Sequence, residues 1–133
     1  MFKTAGIVLL AAVVAVGIGW VWGASGRADV EQARRTAELR AGFAEARALL
    51  LEARVSLFTM NFGQAGRAFD QARNLVTSLQ ARLREAGQAE RAGRLEIVLG
   101  HLGDAGRFTL ALDARAQNAA EAALDALAAA ATP

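Results

Sequence analysis

The chain has 133 residues and a formal net charge of +2, from 15 Lys and Arg against 13 Asp and Glu. It contains no Cys, which excludes disulfides, thiol catalysis and Cys-based zinc sites. The isoelectric point is near 10.4, but the basic residues are interleaved with acidic ones and form no one-sided field. Because a polyanion is attracted by a one-sided field, the sequence does not favour nucleic-acid binding.

The N-terminal segment has the features of a membrane anchor. Residues 5–24 read AGIVLLAAVVAVGIGWVWGA and contain no charge, and about 20 apolar helical residues are enough to cross a bilayer core. Lys3 and Arg27 flank the segment, and Trp20 and Trp22 lie near its second end, where indole rings favour the headgroup region. The sequence therefore predicts a transmembrane anchor over residues 1–26 and an α-helical hairpin domain over residues 27–133.

A cleaved signal peptide is the competing interpretation, because Ala24, Ser25 and Gly26 are small enough for a peptidase site. The apolar run is longer than the hydrophobic region of most signal peptides, which favours the uncleaved anchor. More arginines follow the span than precede it, and this count favours a cytoplasmic helical domain. The expected location is a bacterial inner membrane, crossed once.

Within the predicted span, small residues recur every four positions. Such a ridge lets two helix backbones approach closely inside a bilayer, where packing replaces the hydrophobic drive. We therefore predict a membrane helix interface at Ala11, Ala15, Gly19 and Gly23.

Between Ala28 and Met60 the apolar residues alternate steps of four and three, which defines a heptad seam. The charged residues follow the same seven-residue period, with glutamates on one flank of the seam and arginines on the other. The seam residues are Ala37, Ala41, Ala44, Ala48, Leu51, Val55, Phe58 and Phe62. The flanking residues are Glu31, Glu38, Glu45 and Glu52 on one side, and Arg40, Arg47 and Arg54 on the other.

These charges select an orientation for self-association. In a parallel coiled coil, Arg40 of one chain would face Glu45 of a second copy, and Arg47 would face Glu52. In an antiparallel pair, like charges would meet. If the chain self-associates, the sequence therefore predicts a parallel homodimer; the alternative is that the seam packs on the chain's own later helices and the charges are solvated. The predicted protein interface is Ala37, Glu38, Arg40, Ala44, Glu45, Arg47, Leu51 and Glu52.

The helical pattern halts at Asn61-Phe62-Gly63. Asn tolerates the left-handed conformation that often ends a helix, and Gly tolerates almost any, so a tight turn to an antiparallel second helix over 64–86 is predicted here. Gly87 is expected to terminate that helix. A third helix over 88–112 and a fourth that follows a break at 113–118 and runs through Ala131 complete the prediction of an all-α fold.

The spacing of Ala65, Phe69 and Ala72 after the turn resembles the second helix of a tetratricopeptide-type hairpin, over roughly residues 46–79. In that family small residues let the helices approach and the aromatic ring fills the groove. The chain departs from the pattern, because Glu52 and Ser56 replace large apolar residues and the closing proline is missing. The resemblance implies a surface that binds proteins. The predicted hairpin-packing residues are Phe62, Ala65, Phe69 and Ala72.

The third helix contains Gly100, Gly103 and Gly106. Three helical glycines are costly, and two interpretations compete. One is a flat groove for a helix, a lipid tail or a planar cofactor, with His101 as a ligand. The other is a kink, a break capped by Asp104, or a close helix crossing, and the lone imidazole favours this second interpretation.

No nucleophile and base, and no phosphate-binding loop, are recognisable in the sequence, so we expect neither an enzyme nor a cofactor or metal site. The first hypothesis is a single-pass membrane-anchored helical scaffold or adaptor that binds membrane or membrane-associated proteins and forms a parallel homodimer. The second is a small accessory subunit of a larger membrane complex. The third is a lipid or ligand carrier with a cavity lined by Phe58, Phe62, Phe69 and Phe108.

Overall fold

The computed structural model describes the backbone of residues 2–132 and the side chains of residues 28–132. It contains four helices: α1 (Phe2–Phe58), α2 (Phe62–Glu85), α3 (Ala89–Leu110) and α4 (Arg115–Ala131). The backbone over 2–132 contains no strand, and the predicted all-α class is confirmed. Contacts divide the chain into two units, residues 1–37 and residues 38–133, which are described separately.

The first unit is the N-terminal part of α1. Its described side chains make local helical contacts, with Arg34 donating to Glu31 at 3.0 Å and Thr36 Oγ1 donating to the Gln32 carbonyl at 2.9 Å. In the described part of the chain, no helix has the length and apolarity needed to cross a bilayer.

The predicted anchor at residues 5–24 lies outside the residues whose side chains the structure describes. The same holds for the predicted ridge and for the predicted interfacial aromatics. These residues are Ala11, Ala15, Gly19, Gly23, Trp20 and Trp22.

In the second unit, α1 from residue 38 onward packs closely on α2. A Cβ atom placed on Gly42 would lie 2.6 Å from Cδ2 of Leu79, so the absence of a side chain at Gly42 allows this approach. Farther along, Gln64 Nε2 of α2 donates to a carboxylate oxygen of Glu52 of α1 at 3.1 Å. Helices α1 and α2 therefore form an antiparallel hairpin.

The other helices are joined by side chains that bind backbone carbonyls. Gln80 of α2 is buried and donates to the Ala92 carbonyl of α3 at 3.0 Å. Arg91 of α3 donates from Nε and Nη2 to the Ala130 and Ala131 carbonyls at 3.2 and 3.0 Å, which satisfies acceptors that the end of α4 leaves unpaired. The guanidinium of Arg91 also lies 5.4 Å from the ring of Phe43 on α1.

Helix α4 packs against the part of α1 that lies in this unit. Gln117 Nε2 donates to the Arg54 carbonyl at 3.4 Å, and the Arg54 guanidinium lies 3.9 Å from the carboxylate of Glu121. The order of contacts α1–α2–α3–α4–α1 makes this unit an up-down-up-down four-helix bundle.

Each helix contributes one apolar face to a common core, and many of its members are alanines, which let helices approach closely. From α1 the buried apolar residues are Phe43, Ala46, Leu50, Ala53 and Leu57. From α2 they are Ala65, Ala68, Phe69, Ala72, Val76, Leu79 and Leu83. From α3 and α4 they are Ala92, Leu95, Val98, Leu102, Ala105, Ala116, Ala119, Ala120, Ala123, Leu127 and Ala130.

The three turns share one hydrogen-bond pattern. The second residue after each of these helix ends is left-handed: Met60 (φ 59°), Gly87 (φ 73°) and Leu112 (φ 52°). In each turn the next backbone N–H donates to the carbonyl five residues earlier, at 2.8, 2.8 and 2.9 Å, as in a Schellman motif. The predicted terminating role of Gly87 is confirmed.

The prediction that Asn61 adopts the left-handed conformation in the first turn is wrong. Asn61 has φ −91° and caps α2, its side chain accepting from the backbone N–H of Gln64 at 3.2 Å. The left-handed position belongs to Met60, and Gly63 lies inside α2. The polar side chain of Asn61 is used as an N-cap, which is the other preference of this residue type.

The predictions of a break and of a close crossing in α3 are also wrong. Helix α3 runs unbroken through Gly100, Gly103 and Gly106, and Asp104 pairs with Arg107 within the helix. A Cβ atom on any of the three glycines would meet nothing within 4 Å. The glycines therefore leave open space, part of which is a cleft of about 190 Å³ between α2 and α3.

Candidate functional site on the outer face of the first helix

Between residues 38 and 58, α1 carries two apolar faces. The core face consists of the five α1 core residues given above. The outer face consists of Ala41, Ala44, Ala48, Leu51, Val55 and Phe58. Since successive residues of an α-helix are rotated by about 100°, these two sets lie on opposite sides of α1.

The outer face is exposed in the bundle. Leu51, Val55 and Phe58 are 43%, 62% and 71% exposed, and the three alanines of the outer face are exposed as well. Single exposed apolar residues are ordinary, but a contiguous row of them marks a contact surface. A helix that is apolar on two sides is normally covered on both.

The structure contradicts the alternative that the seam packs on the chain's own later helices, at least for residues 41–58. Only the last seam residue, Phe62, is half-buried against the core. All residues of the predicted protein interface are exposed: Ala37, Glu38, Arg40, Ala44, Glu45, Arg47, Leu51 and Glu52.

The two charged flanks of the outer face border different helices. On the basic flank, Arg54 lies beside Glu121 of α4. On the acidic flank, Glu52 accepts a hydrogen bond from Gln64 of α2. The outer face is therefore bounded by arginines toward α4 and by glutamates toward α2.

Nearer the start of α1, three of these flanking charges have no side-chain partner in the part of the chain that the structure describes. Within residues 28–132, Arg40, Glu45 and Arg47 form no ion pair or hydrogen bond through their side chains. They are available to groups outside the chain.

A groove of about 570 Å³ runs between α1 and α4 beside the outer face. Ala44 and Leu51 of the outer face form part of its wall. Its rims carry charges of opposite sign, from α1 on one side and from α4 on the other. The rim residues are Arg47 and Arg54 on α1, and Glu121 and Asp125 on α4.

The outer face continues into the first turn through Met60, which is 73% exposed. At the same end of the bundle, Leu112 of the α3–α4 turn is 67% exposed. Left-handed backbone costs a residue with a side chain roughly 1–2 kcal/mol, and both positions would suit glycine. Sequence reasoning missed these residues, although an apolar residue directly before Asn61 or Asp113 at a helix end was a usable signal.

The α3–α4 turn is fixed by one carboxylate. Asp113 Oδ1 accepts the backbone N–H of Arg115 at 2.9 Å, and Asp113 Oδ2 accepts the guanidinium Nε of Arg115 at 2.9 Å. These bonds, the guanidinium bond above all, hold the pKa of Asp113 below its usual range. The Arg115 guanidinium also lies 4.5 Å from the ring of Phe108.

The phenylalanines proposed for a carrier cavity are not brought together as a lining. Phe69 is buried in the core, Phe62 and Phe108 are half-buried, and Phe58 is exposed to solvent. The predicted hairpin-packing residues Ala65 and Ala72 are buried beside Phe69 in the core. Within the described residues no group of three or more His, Asp or Glu side chains is placed to hold a metal ion.

Comparison of the chain with protein-family models, with curated proteins and with solved structures finds no match in any of the three. The assignment of the outer face of α1 as a candidate site therefore rests on the sequence and structure of this chain.

Proposed function

We propose that the chain is a single-pass membrane-anchored helical scaffold whose four-helix bundle binds other proteins through the outer face of α1. The observation that carries the proposal is the second apolar face of α1, which the bundle leaves exposed. The anchor in the proposal rests on the uncharged run of residues 5–24. The cytoplasmic side and the bacterial inner membrane stay predictions, as does the resemblance to tetratricopeptide hairpins.

The energetics of the outer face suit a contact role. Complete burial of a Leu, Val or Phe side chain contributes about 1.5–3 kcal/mol. Association costs about 4–15 kcal/mol, because the two molecules lose translational and rotational freedom. Burial of three large side chains with alanines between them can therefore offset much of this cost, and the flanking arginines and glutamates of α1 add selectivity for the partner.

An accessory subunit of a larger membrane complex is the second candidate. The groove between α1 and α4 favours it, because its apolar walls and its oppositely charged rims suit a helix of another protein. The predicted ridge at Ala11, Ala15, Gly19 and Gly23 would serve the same role within the bilayer. This candidate differs from the first in requiring a stoichiometric larger partner.

One pair of variants tests the contact surface. Val55 of the outer face and Ile97 of α3 are both β-branched and are 62% and 59% exposed. We expect Val55→Arg in the full chain to lose proteins that co-purify from native membranes, because the outer face can no longer be buried. Ile97→Arg should retain them, and identical retention by both variants would contradict the proposed surface.

The anchor has its own test. The full chain should stay in the membrane pellet after alkaline carbonate extraction, because a transmembrane helix is not held by surface charge. Release of the intact chain into the soluble fraction would contradict the anchor without bearing on the outer face.

A further inference from the structure

We infer that the partner of the outer face is a second copy of this chain, with the two α1 helices side by side and parallel. The inference rests on the proposed function, because it names the partner of the same surface.

The spacing of the outer face suits another helix. Its residues from Ala41 to Phe58 follow steps of three, four, three, four and three, which keeps one stripe in contact with a helix that lies alongside. In a parallel pair each residue meets its own copy, so alanines meet at Ala41, Ala44 and Ala48. The two helices should therefore be closest at the alanines and separate toward Phe58.

The charges decide the orientation. In the parallel arrangement, Arg40 faces Glu45 of the partner subunit and Arg47 faces Glu52 of the partner subunit, and the two-fold symmetry repeats both pairs. In the antiparallel arrangement, arginines would face arginines and glutamates would face glutamates. Exposed ion pairs contribute little to affinity, but unlike and like charges set the partner and the orientation.

The intramolecular contacts agree with this register. Arg40, Glu45 and Arg47 have no side-chain partner within the described residues, so three of the four charged groups are free to pair between copies. The next arginine, Arg54, would face the uncharged Thr59 of the partner subunit, and in the structure it lies 3.9 Å from Glu121 of its own chain. The series of predicted intermolecular pairs therefore ends at Arg54, whose carboxylate neighbour, Glu121, belongs to the same chain.

Single cysteines test the arrangement directly, because the natural chain has none. We expect Ala44→Cys, Ala48→Cys and Leu51→Cys in the full chain to form disulfide-linked dimers in membranes under mild oxidation. Ser78→Cys, on the exposed side of α2, should remain monomeric under the same conditions. Cross-linking at only one of the three positions would indicate crossed or antiparallel helices, and cross-linking no faster than at Ser78→Cys would indicate no contact; either result would overturn the inference.

Charge reversal gives an independent test. An all-acidic variant carries Arg40→Glu with Arg47→Glu, and an all-basic variant carries Glu45→Arg with Glu52→Arg. Each alone should dimerise at least about tenfold more weakly than the natural chain in detergent, and their mixture should restore dimers. The exposed positions of these residues should leave helix content by circular dichroism unchanged, and unaltered dimerisation in both variants would overturn the inference.

Sedimentation of the full chain in detergent separates this inference from the proposed function. A natural chain that stays monomeric, while Val55→Arg still loses a different co-purifying protein, would overturn self-pairing and leave the scaffold role standing. A monomeric chain for which Val55→Arg loses nothing would contradict both.

Discussion

The two faces of α1 have almost the same chemistry and opposite surroundings. Leu50 and Leu51 are adjacent in the sequence, yet Leu50 is completely buried in the bundle and Leu51 is exposed. Each face has alanines, at least one leucine and a phenylalanine, with steps of three and four. The difference shows that apolar composition alone does not decide which face of a helix forms the core. The positions of the other three helices decide it.

The largest effect should come from truncating the adjacent leucines. Leu50→Ala leaves a cavity in the core and should lower the free energy of unfolding by about 2–5 kcal/mol. Leu51→Ala should change it by less than about 0.5 kcal/mol in the monomeric charge-reversed background. Chemical denaturation followed by circular dichroism measures both, and equal losses would show that the two faces are covered alike.

Replacing an alanine on each face by a larger side chain tests the same difference between the two faces. Ala46 is completely buried and Ala48 is exposed. Ala46→Leu should destabilise the bundle by about 1–3 kcal/mol through overpacking, while Ala48→Leu should leave the thermal midpoint of the monomeric background nearly unchanged. A loss of stability in Ala48→Leu comparable to that in Ala46→Leu would place Ala48 in the core.

A comparison of Gly42 with Gly100 measures the effect of the close contact between α1 and α2 at Gly42. Gly42→Ala and Gly100→Ala gain the same helix propensity, of about 1 kcal/mol. Only Gly42→Ala forces Leu79 to move, so its free energy of unfolding should lie about 1–3 kcal/mol below that of Gly100→Ala. Equal values for the two variants would mean that α1 and α2 are farther apart than the structure has them.

The smallest effect concerns the end of the outer face. Met60→Gly should raise the free energy of unfolding by about 1 kcal/mol, because glycine adopts the left-handed conformation without strain. If Met60 contributes to partner contact, the same variant should weaken dimerisation while stabilising the bundle. A variant that loses stability would show that Met60 is retained for packing within its own chain.

Much of the fold follows from the sequence, because helix periodicity and glycine punctuation are local signals. The predicted second helix, 64–86, is observed at Phe62–Glu85, and the predicted third, 88–112, at Ala89–Leu110. Gly87 was identifiable because glycine adopts the left-handed conformation of a helix end more readily than any other residue.

The rest depended on information that local signals lack. Two seven-residue apolar patterns are interleaved in α1, and the sequence gives no reason to assign one to the core. The glycines of α3 suggested a close neighbour, but whether one is present depends on the packing of α2 and α3. Asn61 suits both a left-handed position and an N-cap, and only the turn geometry selects between them.

The rate at which a single cysteine reacts with a maleimide tests the central claim most directly. In the monomeric charge-reversed chain, Ala48→Cys should react rapidly and Ala46→Cys slowly, since only the first is exposed. In the natural charge background within membranes, Ala48→Cys should become several-fold slower as the second copy covers it. Equal rates for Ala48→Cys in both backgrounds would contradict an outer face that is covered by a second copy.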